Sequence, residues 1–334
     1  MGFANFDSAK VASVLEKVDN NERKMYFEGM GINLQNVNSL ETALKLSKMD
    51  FKVEKLPIQF VTKSVQEWNG NQILVDTPHN IPDMFATVRT DTMDSLGVVG
   101  KNYEILQNTE GFDFLDSLVM EGAKFETAST YGPRGAKSFI CMSTEPLNIL
   151  GDEFKGFINF FNSFDGSGCV RVMFSPVRLF CSNAITRSLK CATNKIAIRH
   201  SSNLQGRLDA ARQVLLQNTN YLTALNEEAE KLAVKPFSRD AFEVLAKRLF
   251  PVNTEDKDII QIRNLAQIEQ MLKAYDQQDL ANFNNTAWGA VMAASDAASH
   301  VVSWRNTKTP ANFTAVINEL PLLNMVWDAV NEAA

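Results

Sequence analysis

The sequence predicts an α+β fold: an antiparallel-rich sheet with helices on one face, followed by a helical C-terminal region. Three observations predict it. Strand-like segments between residues 85 and 199 are joined by glycine turns, Gly132-Pro133-Arg134-Gly135 and Asp165-Gly166-Ser167-Gly168, and not by helical crossovers. From Leu204 onward apolar residues recur at helical spacing. Apolar residues make up 45% of the 334-residue chain and charged residues 22%, which suits a folded chain with a sizeable core.

The elements follow in order. Residues 8–49 read as helical, from the spacing of Val11, Val14, Leu15 and Val18 and from Asn38-Ser39 as a cap ahead of LETALKLSKM. Lys52 to Asp76 reads as strands turning at Asn69-Gly70, a strong hairpin signal. The two prolines of TPHNIPD, residues 77–83, mark a loop and a boundary. Phe85–Arg89 and Leu96–Leu106 read as strands, and Asn108 or Thr109 caps the helix TEGFDFLDSLVME. Strands at Phe125–Tyr131, Ser138–Ser143, Phe157–Phe164 and Cys169–Phe180 follow. Ser182 or Asn183 then caps a helix to Lys190, and Lys195–Arg199 forms a short strand. The order is β-β-α-β-β-β-β-α, with residues 84–200 expected in one sheet. Leu204, Leu208, Ala211, Leu215, Leu222, Leu225, Ala229 and Leu232 lie close to a heptad seam. Further helices are expected near 240–249, 263–276 and 286–304, with a short one near the end. The domain division is 1–80 for N-terminal helices and a hairpin, 81–202 for the α+β core, and 203–334 for the helical region.

Charge is unevenly distributed. The chain carries a net charge of −6, yet Gly166 to Arg212 holds eight cations and a single acid, Asp209. An acidic chain that concentrates cations in one segment does so to hold an anion, or to pair with acids elsewhere, such as Glu110, Asp113 or the C-terminal half. No apolar run approaches the roughly 20 residues of a membrane span, and the N-terminus shows no secretory signal. Cys141, Cys169, Cys181 and Cys191 form no CxxC pair, so reduced thiols in a cytoplasm are expected.

The candidate binding residues are Arg171, Arg178, Arg187, Lys190, Lys195, Arg199, His200 and Arg207. Single-stranded nucleic acid requires cations that track phosphates and flat side chains that stack on bases. Phe164, Phe174, Phe180 and Tyr103 are candidate stackers. Arg171 and Arg178 fall on opposite faces of a regular strand, unless a break at Pro176 brings them together. His200 either joins Arg199 on a phosphate or is a strand-end residue with its ring bonded to the main chain. No spacing among His79, His200 and His300 suits a metal, and no cofactor is expected. Asp165–Gly168 lacks the GK[ST] ending of a phosphate loop. Cys181 has no adjacent histidine to activate it. No catalytic constellation is visible, so the expectation is a non-enzyme.

Five blocks, in this order, resemble a family of phages, prophages and plasmids named domain-of-unknown-function family 932, or phage/plasmid-like protein. They are RTDTMDSLGVVGKNYEILQNTEGFDFLD from Arg89, FETASTYGPRGAKSF, INFFNSFDGSGCVRVMFSPVRLFCSNAI, IAIRHSSNLQGRLDAAR and NTAWGAVMAASDAASH. They span residues 89 to 300. The resemblance implies a phage or plasmid origin and carries no established activity. The order of elements is also similar to the core of the single-strand annealing recombinases, the Erf and Red beta class, which hold single-stranded DNA in a basic groove as rings or filaments.

The expectation is therefore a protein of nucleic-acid metabolism in the cytoplasm of a bacterial host. It binds single-stranded DNA in recombination or annealing and works as a homo-oligomer, with the leucine seam and the small-residue helix around Trp288 as subunit contacts. The alternative is a non-enzymatic interaction or assembly protein acting on a host or phage partner. An enzyme acting on nucleotides or DNA is the least supported class.

Overall fold

A computed structural model describes residues 6–12, 31–113, 115–120, 122–178, 183–184, 195–201, 203–204, 206, 209, 220–276, 283–300 and 321–332. The strands are β1 (Ile32–Asn33), β2 (Val53–Trp68), β3 (Asn71–Arg89), β4 (Ser95–Gly100), β5 (Lys124–Tyr131), β6 (Lys137–Ser143), β7 (Leu147–Ile149), β8 (Asp152–Ser163), β9 (Val170–Arg178), β10 (Asn183–Ala184) and β11 (Lys195–Ile198). The helices are α1 (Leu40–Leu46), α2 (Asn108–Gly111), α3 (Leu115–Met120), α4 (Asn220–Ala233), α5 (Arg239–Leu249), α6 (Asp258–Tyr275), α7 (Ala287–His300) and α8 (Pro321–Glu332).

The α+β class holds, with antiparallel sheets and helices in the C-terminal region. The single sheet expected for residues 84–200 does not. Two sheets form: an eight-stranded one in the order β1-β5-β6-β8-β9-β10, with β7 on β8 and β11 on β9, and a three-stranded one, β2-β3-β4. The hairpins across Gly132–Gly135 and Asp165–Gly168 form as the turns require, pairing Tyr131 with Lys137 and Phe161 with Arg171. The sequence reading misses β7. It turns at Leu150-Gly151, where both residues have positive φ and the hairpin needs just two loop residues.

The β2–β3 hairpin turns at Asn69 (φ 53°) and Gly70 (φ 78°) as its sequence demands. It is longer than expected, because β3 continues past residue 76. The 77–83 segment is not regular: Gln59 pairs with Asn80 and Pro57 with Phe85, so Ile81, Pro82, Asp83 and Met84 bulge opposite Ile58, with Asp83 at φ 59°. From Asn80 toward the tip, β3 pairs with β2 alone among the described residues, since β4 reaches only Met84 to Val88. Pro78 therefore meets no ladder on its outer side there, and Pro82 sits in the bulge. The strand expected over Leu96–Leu106 is shorter, since β4 ends at Gly100. Asn183 pairs with Arg178 in β10, and the helix expected from Ser182 or Asn183 to Lys190 lies outside the described residues.

The core lies between one face of the large sheet and the helices. Phe160 meets Phe112 edge-on at 4.7 Å, Phe174 meets Tyr221 at 5.1 Å, and Phe154 meets Trp288 at 6.3 Å. Leu204, Leu225, Ala229 and Leu232 of the leucine seam join this core, as does Trp288. That part of the seam is thus satisfied within one chain and offers no face to a second copy. Leu208, Ala211 and Leu215 lie outside the described residues.

A cap is correctly legible at Ser39, whose Oγ accepts from Thr42 N. It is misread at Asn108. The residue preceding α2 is Gln107, which makes no side-chain cap and instead clasps β2, accepting from Val53 N at 3.0 Å and donating to Val53 O at 2.8 Å. Asn108 lies inside α2, fully buried. Its Nδ2 donates to Met49 O at 2.9 Å and Ser138 Oγ at 3.2 Å. Asn162 Nδ2 donates to Leu106 O at 2.8 Å and Asn108 Oδ1 at 3.2 Å. Removing one carboxamide leaves its buried partners unsatisfied. Asn162→Ala should lower the unfolding free energy by about 2–3 kcal/mol. A urea denaturation midpoint unchanged from the parent would show that these bonds do not hold the segments together.

Candidate functional site

Side chains from six segments converge at one end of the large sheet, around a cavity of about 580 Å³. Strand register explains why. Tyr131 pairs with Lys137, and Lys137 with Ser163, in one row of the sheet. Phe139 pairs with Phe161, Phe161 with Arg171, and Arg171 with Ala197 in the next same-face row. Alternation along a strand puts residues two apart on the same face, so Tyr131, Lys137, Phe161, Ser163 and Arg171 share it. The chain then leaves β11 at Arg199 and His200, and both line the same cavity. Tyr103, from the turn after β4, completes the wall.

Arg171 places its guanidinium 5.4 Å over the Phe161 ring and hydrogen-bonds the Tyr131 hydroxyl. Burial pushes the Tyr131 phenol up, and Arg171 opposes that shift. Arg199 is exposed and makes no ion pair among the described residues. Lys137 Nζ lies 3.6 Å from Asp165 Oδ2. The other carboxylate oxygen of Asp165 accepts from Ser163 Oγ at 2.7 Å, Ser167 Oγ at 2.7 Å and Ser167 N at 2.9 Å. Burial works to raise its pKa, but those bonds outweigh it and hold the carboxyl below its ordinary range. The Asp165–Gly168 segment is therefore a turn stitched by its own aspartate, and its Ser167 N–H is already used. That matches the hairpin reading.

His200 takes the main-chain role. Its ring stacks on Tyr103 at 4.8 Å, and Nδ1 lies 3.0 Å from Glu104 O, an acceptor that fixes the proton on Nδ1. Glu104 N donates back to His200 O at 3.2 Å, and the Tyr103 hydroxyl donates to Ser163 O at 2.7 Å. Nε2 is buried with no partner among the described residues. Burial lowers the His200 pKa, partly countered by the bond to Glu104. The histidine thus braces the cavity wall in its neutral form and adds no cation to it.

The sequence-chosen residues divide. Arg171 and Arg199 come together, and His200 sits beside them. Arg187, Lys190 and Arg207 lie outside the described residues, and only the main chain of Arg178 and Lys195 is described. No break occurs at Pro176. Strand β9 keeps register with β8 through Gly156–Pro176 to Phe154–Arg178, so positions 171 and 178 fall on opposite faces. Pro176 is tolerated because it lies between the segments paired by β11 and β10. Of the proposed stackers, Phe164 and Phe174 are core residues, 0% and 5% exposed, because each packs between layers of the fold. Phe180 is not described. Tyr103 alone of the four lines the cavity. Tyr131 and Lys137 were missed as site residues. The available signal was their place on either side of the Gly132–Gly135 turn, where a tight hairpin makes them cross-strand partners. A second polar cluster, also missed, lies on the same face. Glu126 is buried and accepts from Lys155 Nζ at 2.5 Å, Ser143 Oγ at 2.6 Å and Gln35 Nε2 at 3.0 Å.

A family model described as a domain of unknown function, DUF932, matches residues 95–317, more than half of the chain. The chain belongs to the DUF932 family. The matched span contains every described side chain of the cavity wall, and the β2–β3 hairpin precedes it. No curated protein and no solved structure matches. Among the described residues no cluster of His, Cys, Asp and Glu has the makings of a metal site, and no helix is long and apolar enough to cross a membrane.

Because the folded-state pKa of His200 lies below its ordinary 6.5, the unfolded chain binds the extra proton more readily. Its contribution to stability is complete above about pH 6.5 and is lost as pH falls through the folded-state pKa. His200→Gln should flatten the fall in urea midpoint between about pH 7.5 and pH 5 relative to the parent. Parallel pH profiles for the two proteins would remove the histidine from this role.

Proposed function

We propose that this DUF932 chain is a non-enzymatic phage or plasmid protein of nucleic-acid metabolism that binds single-stranded DNA and presents it for annealing. The observation that carries this reading is the convergence of Lys137, Arg171 and Arg199 with the half-buried Tyr103 and Tyr131 on one cavity wall. Cations for phosphates beside aromatic faces are what single-strand binding requires. They lie in or beside the segment where an acidic chain concentrates its positive charge. Annealing needs strands held with bases accessible, and no bond chemistry. The protein would work in the cytoplasm of the bacterial host as a homo-oligomer.

Each phosphate contact releases condensed counterions, so log affinity should fall with log salt by about 0.7 per contact on a single strand. Arg171→Ala combined with Arg199→Ala should weaken oligodeoxynucleotide binding and flatten that slope by roughly one to one and a half. Melting temperature is measured alongside, because Arg171 also holds Tyr131. A stable double variant with unchanged affinity and slope would remove both residues from the interface. Absence of any oligonucleotide binding by the parent protein at about 50 mM salt, where phosphate contacts are strong, would overturn the reading.

The second reading, an interaction or assembly protein with a host or phage partner, is favoured by the β2–β3 arm. A two-stranded ribbon is marginal in water on its own, yet this one runs for 16 residues of β2 with little cover. Phe60, Val65, Trp68 and Leu74 are all more than half exposed on it. Trp68→Ser with Leu74→Ser should leave the melting temperature within about 2 °C of the parent, since exposed changes rarely move stability. It should also abolish self-association or partner capture in sedimentation experiments. A sedimentation profile identical to the parent's would discount the arm.

A further inference from the structure

The cavity, about 580 Å³ and open to one side, has the volume of a site for one small ligand. Among the described residues its lining includes three cations and no carboxylate. One neighbouring carboxylate, Asp165, stands 3.6 Å from Lys137 and offsets part of that charge. An internal phosphodiester carries a single negative charge, whereas a phosphomonoester carries about −1.5 to −2 at neutral pH and presents three acceptor oxygens. The second matches the wall better.

We propose that the cavity is the seat of a nucleotide phosphomonoester, namely the terminal phosphate of a single DNA strand. This assignment rests on the single-strand reading above. Arg171 and Arg199 are placed for it by one ladder, because Arg171 pairs with Ala197 and Arg199 lies two residues further along the same chain. The Phe161 ring and the Tyr131 hydroxyl orient the Arg171 guanidinium, and a guanidinium fork grips phosphate oxygens in pairs. Arg199 is exposed and brings a second fork. The turn at Asp165–Gly168 supplies no N–H from Ser167, so side chains do the holding. Tyr103, stacked on the neutral His200, lends an aromatic wall for the terminal sugar or base without adding charge. A strand end differs from the strand interior in its extra charge and in having chain on one side only, which fits a pocket better than a groove.

The test uses the full chain and one oligodeoxynucleotide sequence with an internal fluorophore. It is made with a 5′-phosphate, with a 3′-phosphate, and with hydroxyls at both ends. Fluorescence anisotropy should show one phosphorylated form binding about tenfold tighter than the hydroxyl form, as charge-assisted hydrogen bonds to the extra charge imply. A nucleoside 5′-monophosphate should compete and the nucleoside should not. Arg199→Gln and, separately, Lys137→Gln should bring the ratio between phosphorylated and hydroxyl ends toward one. Equal affinity for all three strands would overturn the terminal-phosphate assignment and leave single-strand binding standing. Inorganic phosphate competing as well as the nucleoside monophosphate would overturn the nucleotide part of it. If no strand binds but the nucleoside monophosphate does, and Arg199→Gln abolishes that binding, the cavity keeps its phosphomonoester and the strand reading falls.

Discussion

Two buried carboxamides hold the large sheet to the chain that precedes it. Asn162 at the end of β8 reaches the Leu106 carbonyl and the Asn108 side chain, while Asn108 reaches the Met49 carbonyl and Ser138 of β6. Four segments distant in sequence meet in these bonds. Buried amides are costly unless every donor and acceptor is met, so the arrangement admits one relative placement of these segments and penalises others. The hydrophobic core alone is less discriminating, because apolar contacts carry no direction.

A second joint depends on that placement. Thr87 Oγ1 of β3 donates to the Phe164 carbonyl at 2.6 Å, just past the end of β8. Beside it, Gly97 of β4 comes so near the Asp165 main chain that a Cβ would stand 2.5 Å from the Asp165 Cα. Phe51, Val53, Leu96, Ala136 and Phe164 close a small apolar cluster there. The base of the β2–β3 arm is thus anchored on the same turn that bounds the cavity, while its outer length stands clear of the core. One end of the sheet carries both features of functional interest, the cationic cavity and the root of the exposed ribbon.

Electrostatics at the cavity follow from who has already been satisfied. Asp165 spends its oxygens on Ser163, Ser167 and Lys137, which fixes the turn and limits how far it neutralises the wall. His200 gives its one N–H to Glu104 and stays neutral, a buried brace behind Tyr103. Arg171 is held on that wall by strand register, the Phe161 ring and the Tyr131 hydroxyl, so an incoming anion does not bear the cost of ordering it.

By itself the sequence determined the local features. The hairpin turns at Asn69-Gly70, Gly132–Gly135 and Asp165–Gly168 follow from residues able to adopt positive φ, and the Ser39 cap and the helical C-terminal region follow from short-range pattern. It also marked the cationic segment holding Arg171 and Arg199. Tertiary structure decided what depends on distant partners. It split the strands into two sheets and carried β3 past the expected proline loop, leaving a bulge at residues 81–84. It turned Asn108 from a helix cap into a core amide, and it buried Phe164 and Phe174, which composition could not tell from exposed stackers. It also brought Tyr131, Lys137 and Tyr103 to the two arginines. A turn or cap is set by a few adjacent residues, whereas the neighbour of a side chain across a sheet is set by the register of strands tens of residues apart, which no local pattern encodes.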